Sequence, residues 1–92
     1  MIKSFTHKGL AKFFTTGSKA GIQALHAPRL RLLLALLNDA ETVDDLSAPG
    51  MRLHLLKGDR AGFWSLTVQA NWRVIFKFDS GDAHVVDYLD CH

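Results

Sequence analysis

Apolar positions follow one rhythm before residue 50 and another after it. In the first half they recur at helical spacing; in the second they alternate. Leu10, Phe13 and Phe14 share a stripe of a helix predicted over residues 8–16, and Gly17 is placed to end it. Residues 18–27 read as irregular or weakly helical. Pro28 suits the first turn of a second helix, where a missing N–H costs nothing, and the pattern carries that helix to about Ala40. Leu30, Leu33, Leu34 and Leu37 form its buried face, which Leu32 and Leu36 are expected to widen. Pro49-Gly50 then breaks the chain.

Beyond that break, strands are predicted over residues 52–57, 63–68, 72–78 and 83–90, with turns between them at 58–62, 69–71 and 80–82. Trp64, Leu66 and Val68 share one face, as do Trp72, Val74, Phe76 and Phe78; Arg73, Ile75 and Lys77 take the opposite one. A short edge strand is predicted at residues 2–5. Helices grouped before an antiparallel meander define an α+β fold. Both helices pack on one face of a mainly antiparallel sheet, in one domain over residues 1–92.

Composition narrows the setting. Of 92 residues, 48% are hydrophobic and 22% charged, as in ordinary globular proteins. The longest unbroken apolar run, residues 32–37, is far short of the roughly 20 residues that span a bilayer. The first residues lack the apolar stretch of a signal peptide, and the lone cysteine, Cys91, forbids an internal disulfide. A cytoplasmic protein with no membrane association is expected. Charge is uneven although the net value is only +2. Residues 1–31 contain Lys3, Lys8, Lys12, Lys19, Arg29 and Arg31 and no acid, whereas Asp39, Glu41, Asp44 and Asp45 cluster behind them. A basic first third points to a polyanion such as nucleic acid, and these six cations, with Arg60 beyond them, are its expected contacts.

Alternation also sorts the chemistry. If Leu53 and Leu55 point inward, His54 points outward and joins Arg73 on the open sheet face. Lys57 falls on the inward parity at the strand end, where a twist or bulge can re-aim it. In the last strand Val86 shares parity with His84, Tyr88, Asp90 and His92, while Val85 and Leu89 share it with Asp87 and Cys91, so its facing stays open. Imidazole, ammonium and guanidinium groups on one face suit RNA cleavage. The reaction needs a proton taken from the 2′-OH, a proton given to the leaving 5′ oxygen, and charge stabilised on the phosphorane. Each group also has a plainer use: Arg73 as a cross-strand partner of Asp87 or Asp90, Lys57 as turn decoration, residues 90–92 as a frayed end. His54, His84, Cys91 and His92 match no common zinc spacing.

Three segments carry a family resemblance. Residues 52–65, Arg-Leu-His-Leu-Leu-Lys-Gly-Asp-Arg-Ala-Gly-Phe-Trp-Ser, are similar to the signature of HigB toxins, a branch of the RelE superfamily. So are residues 71–76, Asn-Trp-Arg-Val-Ile-Phe, and residues 86–92, Val-Asp-Tyr-Leu-Asp-Cys-His, while the opening residues 1–10 resemble them more loosely. The resemblance covers essentially the whole chain. It implies the compact RelE fold and a toxin that cleaves mRNA in the ribosomal A site, held inactive by a helix-turn-helix antitoxin, HigA. It also implies that no metal or organic cofactor takes part. The family's functional positions match His54, Lys57, Arg73, Asp90 and His92. Either His54 or His92 would move protons, Lys57 and Arg73 would neutralise the scissile phosphate, and Asp90 would transfer a proton or orient a histidine. One departure stands out, because the family commonly has Asp-Tyr-His where this chain has Asp90-Cys91-His92. Cys91, with Tyr88 as an alternative aromatic, is the expected tuner of substrate preference. A non-catalytic RNA-binding protein of the same fold is the alternative reading.

Overall fold

The computed structural model describes residues 1–91. Helix α1 spans Lys8–Thr16, the bounds its apolar stripe predicts. His7 starts it, its Nδ1 accepting the Leu10 N–H at 2.9 Å. Gly17, at φ 80°, ends it with its N–H on the Phe13 carbonyl, a left-handed stop that glycine takes without a Cβ penalty. Gly9, in the first turn, lies so close to Gly21 that a Cβ built on either would come within 2.5 Å of the other's backbone. The segment leading to α2 contains a 3₁₀ turn, Ala24–His26.

Helix α2 spans Ala27–Asp39, with Pro28 in its first turn. Leu30, Leu33, Leu34 and Leu37 are fully buried. Leu32 and Leu36 do not extend that face as expected; they are 48% and 38% exposed. At about 100° per residue they lie on the far side of the helix from Leu30, and the sheet covers one side only. The acidic cluster behind α2 has a structural use. Thr42 and Asp45 form a capping box around the 3₁₀ turn Val43–Leu46, and N–H bonds from Glu41 and Thr42 hold the Asp45 carboxyl below the usual carboxylate range.

Four antiparallel strands follow: β1 His54–Leu55, β2 Trp64–Gln69, β3 Trp72–Asp79 and β4 Asp82–Asp90, side by side in that order. Residues 2–5 add a short parallel strip to the free edge of β4 through Ile2 and Phe5. The Met1 amino group donates to the Gly81 carbonyl at 3.0 Å. Leu66, Val74, Phe76, Val86 and Tyr88 meet the buried leucines of α2 in one core. Two helices on one face of a four-stranded antiparallel meander is the α+β arrangement expected. None of the described helices is long and apolar enough to cross a membrane.

Two expectations are corrected here. The strand predicted over residues 52–57 contracts to His54–Leu55, because Arg52 takes φ 52° before it and a 3₁₀ turn at Gly58–Arg60 begins just after it. Leu55, expected inward, is 54% exposed. It pairs with Trp64 at the sheet edge, outboard of α2, which packs on β2 and β4.

A β-bulge divides β4 into two stretches of opposite parity, and burial of Val86 and Tyr88 sets the facing of the second. Ile75 pairs with Asp87, but Lys77 pairs with His84, so three β4 steps oppose two on β3. Val85 sits in the extra position at φ 49°, unusual for a β-branched residue. Its backbone is held by residues 4–6: its N–H donates to Ser4 Oγ at 2.8 Å, and its carbonyl accepts from Thr6 Oγ1 at 3.4 Å.

Candidate active site

Register assigns the face away from the helices. His54, Ser65, Ile75 and Asp87 form one cross-strand row, and Thr67, Arg73 and Leu89 form the next. His54 and Arg73 thus share the face that alternation predicted. The face is less open than expected, since Ser65 and Ile75 at its centre are buried.

Lys57 ends up exposed at the start of the 3₁₀ turn Gly58–Arg60. The turn brings Lys57, Asp59 and Arg60, with Leu56, to the wall of a surface hollow of about 350 Å³, and Cys91 forms another part of that wall. The loop after β1 therefore meets the end of β4 across the sheet face. Cys91 is anchored there, its N–H donating to the Asn71 carbonyl at 2.8 Å. Asn71 lies in the β2–β3 turn that Arg73 also grips: Arg73 Nη1 donates to the carbonyls of Ala70 at 2.6 Å and Trp72 at 3.1 Å. Both bonds use one nitrogen of a group with five N–H donors, and the bound turn fixes the direction of the guanidinium.

Other predicted positions fall differently. Asp90 pairs with Trp72, on the row that faces the helix side rather than on the rows of Arg73 and His54. It is exposed at the strand end, next to Cys91. His92 lies outside the described residues. Tyr88 is 4% exposed and packed in the core, so it does not offer a ring to a nucleotide in place of the one Cys91 lacks. Its hydroxyl shares a 2.6 Å hydrogen bond with His26 Nδ1 and accepts the Gln23 N–H at 3.4 Å. Burial pushes this hydroxyl above the ordinary tyrosine value, against the lowering effect of the Gln23 bond. Trp72 stacks at 4.8 Å from Tyr88 and lies edge-on to His26 at 5.5 Å. This cluster backs the strand ends that carry Arg73 and Cys91. Sequence reasoning passed over His26, whose only signal was a histidine just before a proline-started helix.

Of the basic residues assigned to RNA, Lys3, Lys8, Lys12, Lys19, Arg31 and Arg60 are exposed. Arg29 is not free for that role. Its Nη2 donates to the carbonyls of Gly50 at 2.7 Å and Thr67 at 3.1 Å, and Nε reaches Thr67 at 3.3 Å, tying α2 to β2. Arg29→Ala is expected to cost about 1–3 kcal/mol of stability, because the part-buried Thr67 carbonyl loses its partner. RNA affinity should keep its wild-type salt dependence. Thermal unfolding and a salt titration of binding check both halves. A second hollow, about 290 Å³, lies on the helix side, lined by Phe13, Phe14, Gly17, Arg31, Leu34 and Ala35. Arg31 is the one charged side chain in its lining.

This fold, two helices on one face of a four-stranded antiparallel sheet, agrees with the RelE class of toxins. A family model described as the RelE-like toxin of the type II toxin–antitoxin system HigB matches residues 3–92. The chain is also 45% identical over 92 residues to the endoribonuclease HigB of Proteus vulgaris, all of both chains being covered. The protein belongs to the HigB-like toxin family.

Proposed function

We infer that this chain is the toxin of a type II toxin–antitoxin pair and acts as an endoribonuclease, cutting mRNA in the A site of the small ribosomal subunit. The observation that carries the reading is the convergence of Lys57, Arg60 and Cys91 on one hollow, beside a sheet face that bears His54 and Arg73. Cations gathered around one opening suit a phosphodiester, and such fixed charge is most effective where negative charge grows in the transition state.

In the proposed reaction the 2′ oxygen attacks phosphorus. A bond forms between O2′ and P, the bond from P to O5′ breaks, and the proton lost by the 2′-OH is balanced by one delivered to O5′. The products are a 2′,3′-cyclic phosphate and a 5′-hydroxyl. Lys57 and Arg73 neutralise the non-bridging oxygens, Arg73 through a planar fork that matches two of them. His54 or His92 moves the protons, and Asp90 assists as a proton carrier or by orienting a histidine. The chain supplies few groups able to activate a 2′-OH. That makes the ribosome a reasonable part of the machinery, holding the mRNA where attack is in line. A HigA-type helix-turn-helix antitoxin keeps the toxin inactive, and the work is cytoplasmic, where ribosomes are.

The test is cleavage of a defined mRNA in a reconstituted translation reaction, with and without ribosomes. Cuts confined to ribosome-bound message support the reading. Binding of RNA without cleavage would move the chain to the non-catalytic alternative. Cys91 gives a further prediction. Tyrosine there would add an aromatic face and a hydroxyl at the wall of the hollow, so Cys91→Tyr is expected to raise the cleavage rate. A rate equal to or below wild type, measured on the same ribosomes, would sink that idea.

A further inference from the structure

The bulge at Val85 has an effect on the sheet face. With regular pairing, His84 would share the parity of the buried Val86. The extra residue turns it instead onto the face of Arg73 and His54, opposite Lys77. Lys77 is exposed, yet its Nζ stands over the Phe63 ring at 5.1 Å from the centroid, which favours an ammonium group held along the face. Phe63 itself precedes β2 and is fixed by its N–H on the Arg60 carbonyl at 3.0 Å and by its carbonyl accepting the Leu56 N–H at 2.8 Å. Through Phe63, Lys77 thus adjoins the loop that carries Lys57 and Arg60. The acids nearby are already engaged. Asp79 Oδ1 accepts from Ser80 Oγ at 3.2 Å, and Asp87 Oδ1 accepts the Tyr88 N–H at 2.8 Å. Lys77 lies four residues along β3 from Arg73, about 13 Å at strand rise, a span that a short stretch of single-stranded RNA can follow.

We propose that Lys77 and His84 form a second anion subsite, which holds a backbone phosphate of the mRNA strand away from the bond that is cut. This rests on the reading that mRNA is cut on this sheet face. The ammonium and an imidazole N–H donate to one phosphate, while Arg73 and Lys57 engage the scissile one. The subsite contributes to binding and register rather than to bond breaking, because phosphate contacts position a strand without reading its bases.

The experiment measures cleavage of programmed ribosomes against toxin concentration at several salt concentrations. The variants are Lys77→Met, His84→Gln, the pair together, and Lys77→Arg. Methionine keeps an unbranched apolar side chain on the strand and removes the charge that stands over Phe63. The paired variant is expected to raise KM roughly 5–10-fold, the scale of about 1 kcal/mol, with the loss in KM rather than kcat. The salt slope should fall by about 0.7, as for one phosphate contact on a single strand. Lys77→Arg should restore both. In a second arm, single mRNA phosphates flanking the cut are replaced by neutral methylphosphonates. One position should weaken the wild type by a similar factor and leave the paired variant unaffected. If the variants lose affinity but no mRNA position reproduces the loss, the phosphate belongs to ribosomal RNA and the proposal is overturned. Wild-type KM and salt slope in the paired variant would overturn it as well. Arg73→Ala separates the two readings: if it is inactive while the paired variant behaves as wild type, only the subsite fails. If it cleaves normally, the assignment of the face itself fails.

Discussion

Arg73→Ala is expected to lower mRNA cleavage on ribosomes by about 10²–10³-fold, the usual cost of removing one preorganised group that stabilises developing charge. The geometry gives this residue two duties. It projects on the face that carries the hollow, and Nη1 braces the β2–β3 turn through the carbonyls of Ala70 and Trp72. Losing the brace costs about 1 kcal/mol, as for a typical hydrogen bond, and so lowers the melting temperature by about 4–8 °C in a domain of this size. That loss is too small to account for the expected drop in rate at a temperature where the variant stays folded. Arg73→Lys sharpens the comparison, because it keeps the charge and gives up the planar fork. An intermediate rate is expected. Should alanine and lysine variants both cleave at the wild-type rate while melting lower, Arg73 is a brace and nothing more.

Gly9→Ala is expected to destabilise the fold by about 3 kcal/mol, the upper part of the range for overpacking, and to lower the melting temperature by about 12–24 °C. Helix propensity alone argues the other way. An alanine inside α1 would favour the helix by up to about 1 kcal/mol over glycine. The contact decides the sign, because a Cβ at Gly9 would lie 2.5 Å from the Gly21 carbonyl oxygen and 2.7 Å from its Cα. These are backbone atoms, so relief requires the segment before α2 to move, and with it Gln23 and His26, which hold the Tyr88 hydroxyl. Gly21→Ala should behave alike, its Cβ meeting Gly9 Cα at 2.5 Å. Thermal unfolding of both variants checks this, and a melting temperature at or above wild type would show that the two segments separate easily.

Those two glycines illustrate what a linear reading misses. Gly9 reads only as a weak spot in a helix, since its partner is twelve residues away in a segment without a period. Patterns confined to one element were legible: the bounds of α1, the four buried leucines of α2, and the opposite facing of Trp72 and Arg73. Leu32 and Leu36 misled because a leucine-rich helix does not reveal how much of its circumference a four-stranded sheet covers. Arg29 looked like a nucleic-acid contact because charge says nothing of the carbonyls within reach. In the candidate site, alternation was enough for His54 and Arg73, whereas the meeting of Lys57 with Cys91 depends on the path of a loop. Asp90 follows the parity of the buried Val86 and Tyr88, but the facing of His84 depends on the bulge at Val85, and two adjacent valines carry no mark of which one will be the extra residue.

The strip formed by residues 2–5 has a consequence for folding kinetics. Its partners lie about eighty positions further along the chain, with Lys3 bonding Ala83 and Thr6 bonding Val86. Contacts of such sequence separation are entropically the dearest to close and form late. The local hairpins of the meander can assemble first, leaving the rim of β4 as a bare ladder until the opening segment docks. During that interval the chain presents the kind of unpaired edge that joins strands from other molecules. Refolding yield should therefore fall as protein concentration rises, and the residues that cap that rim, rather than the leucine core, should set how steeply.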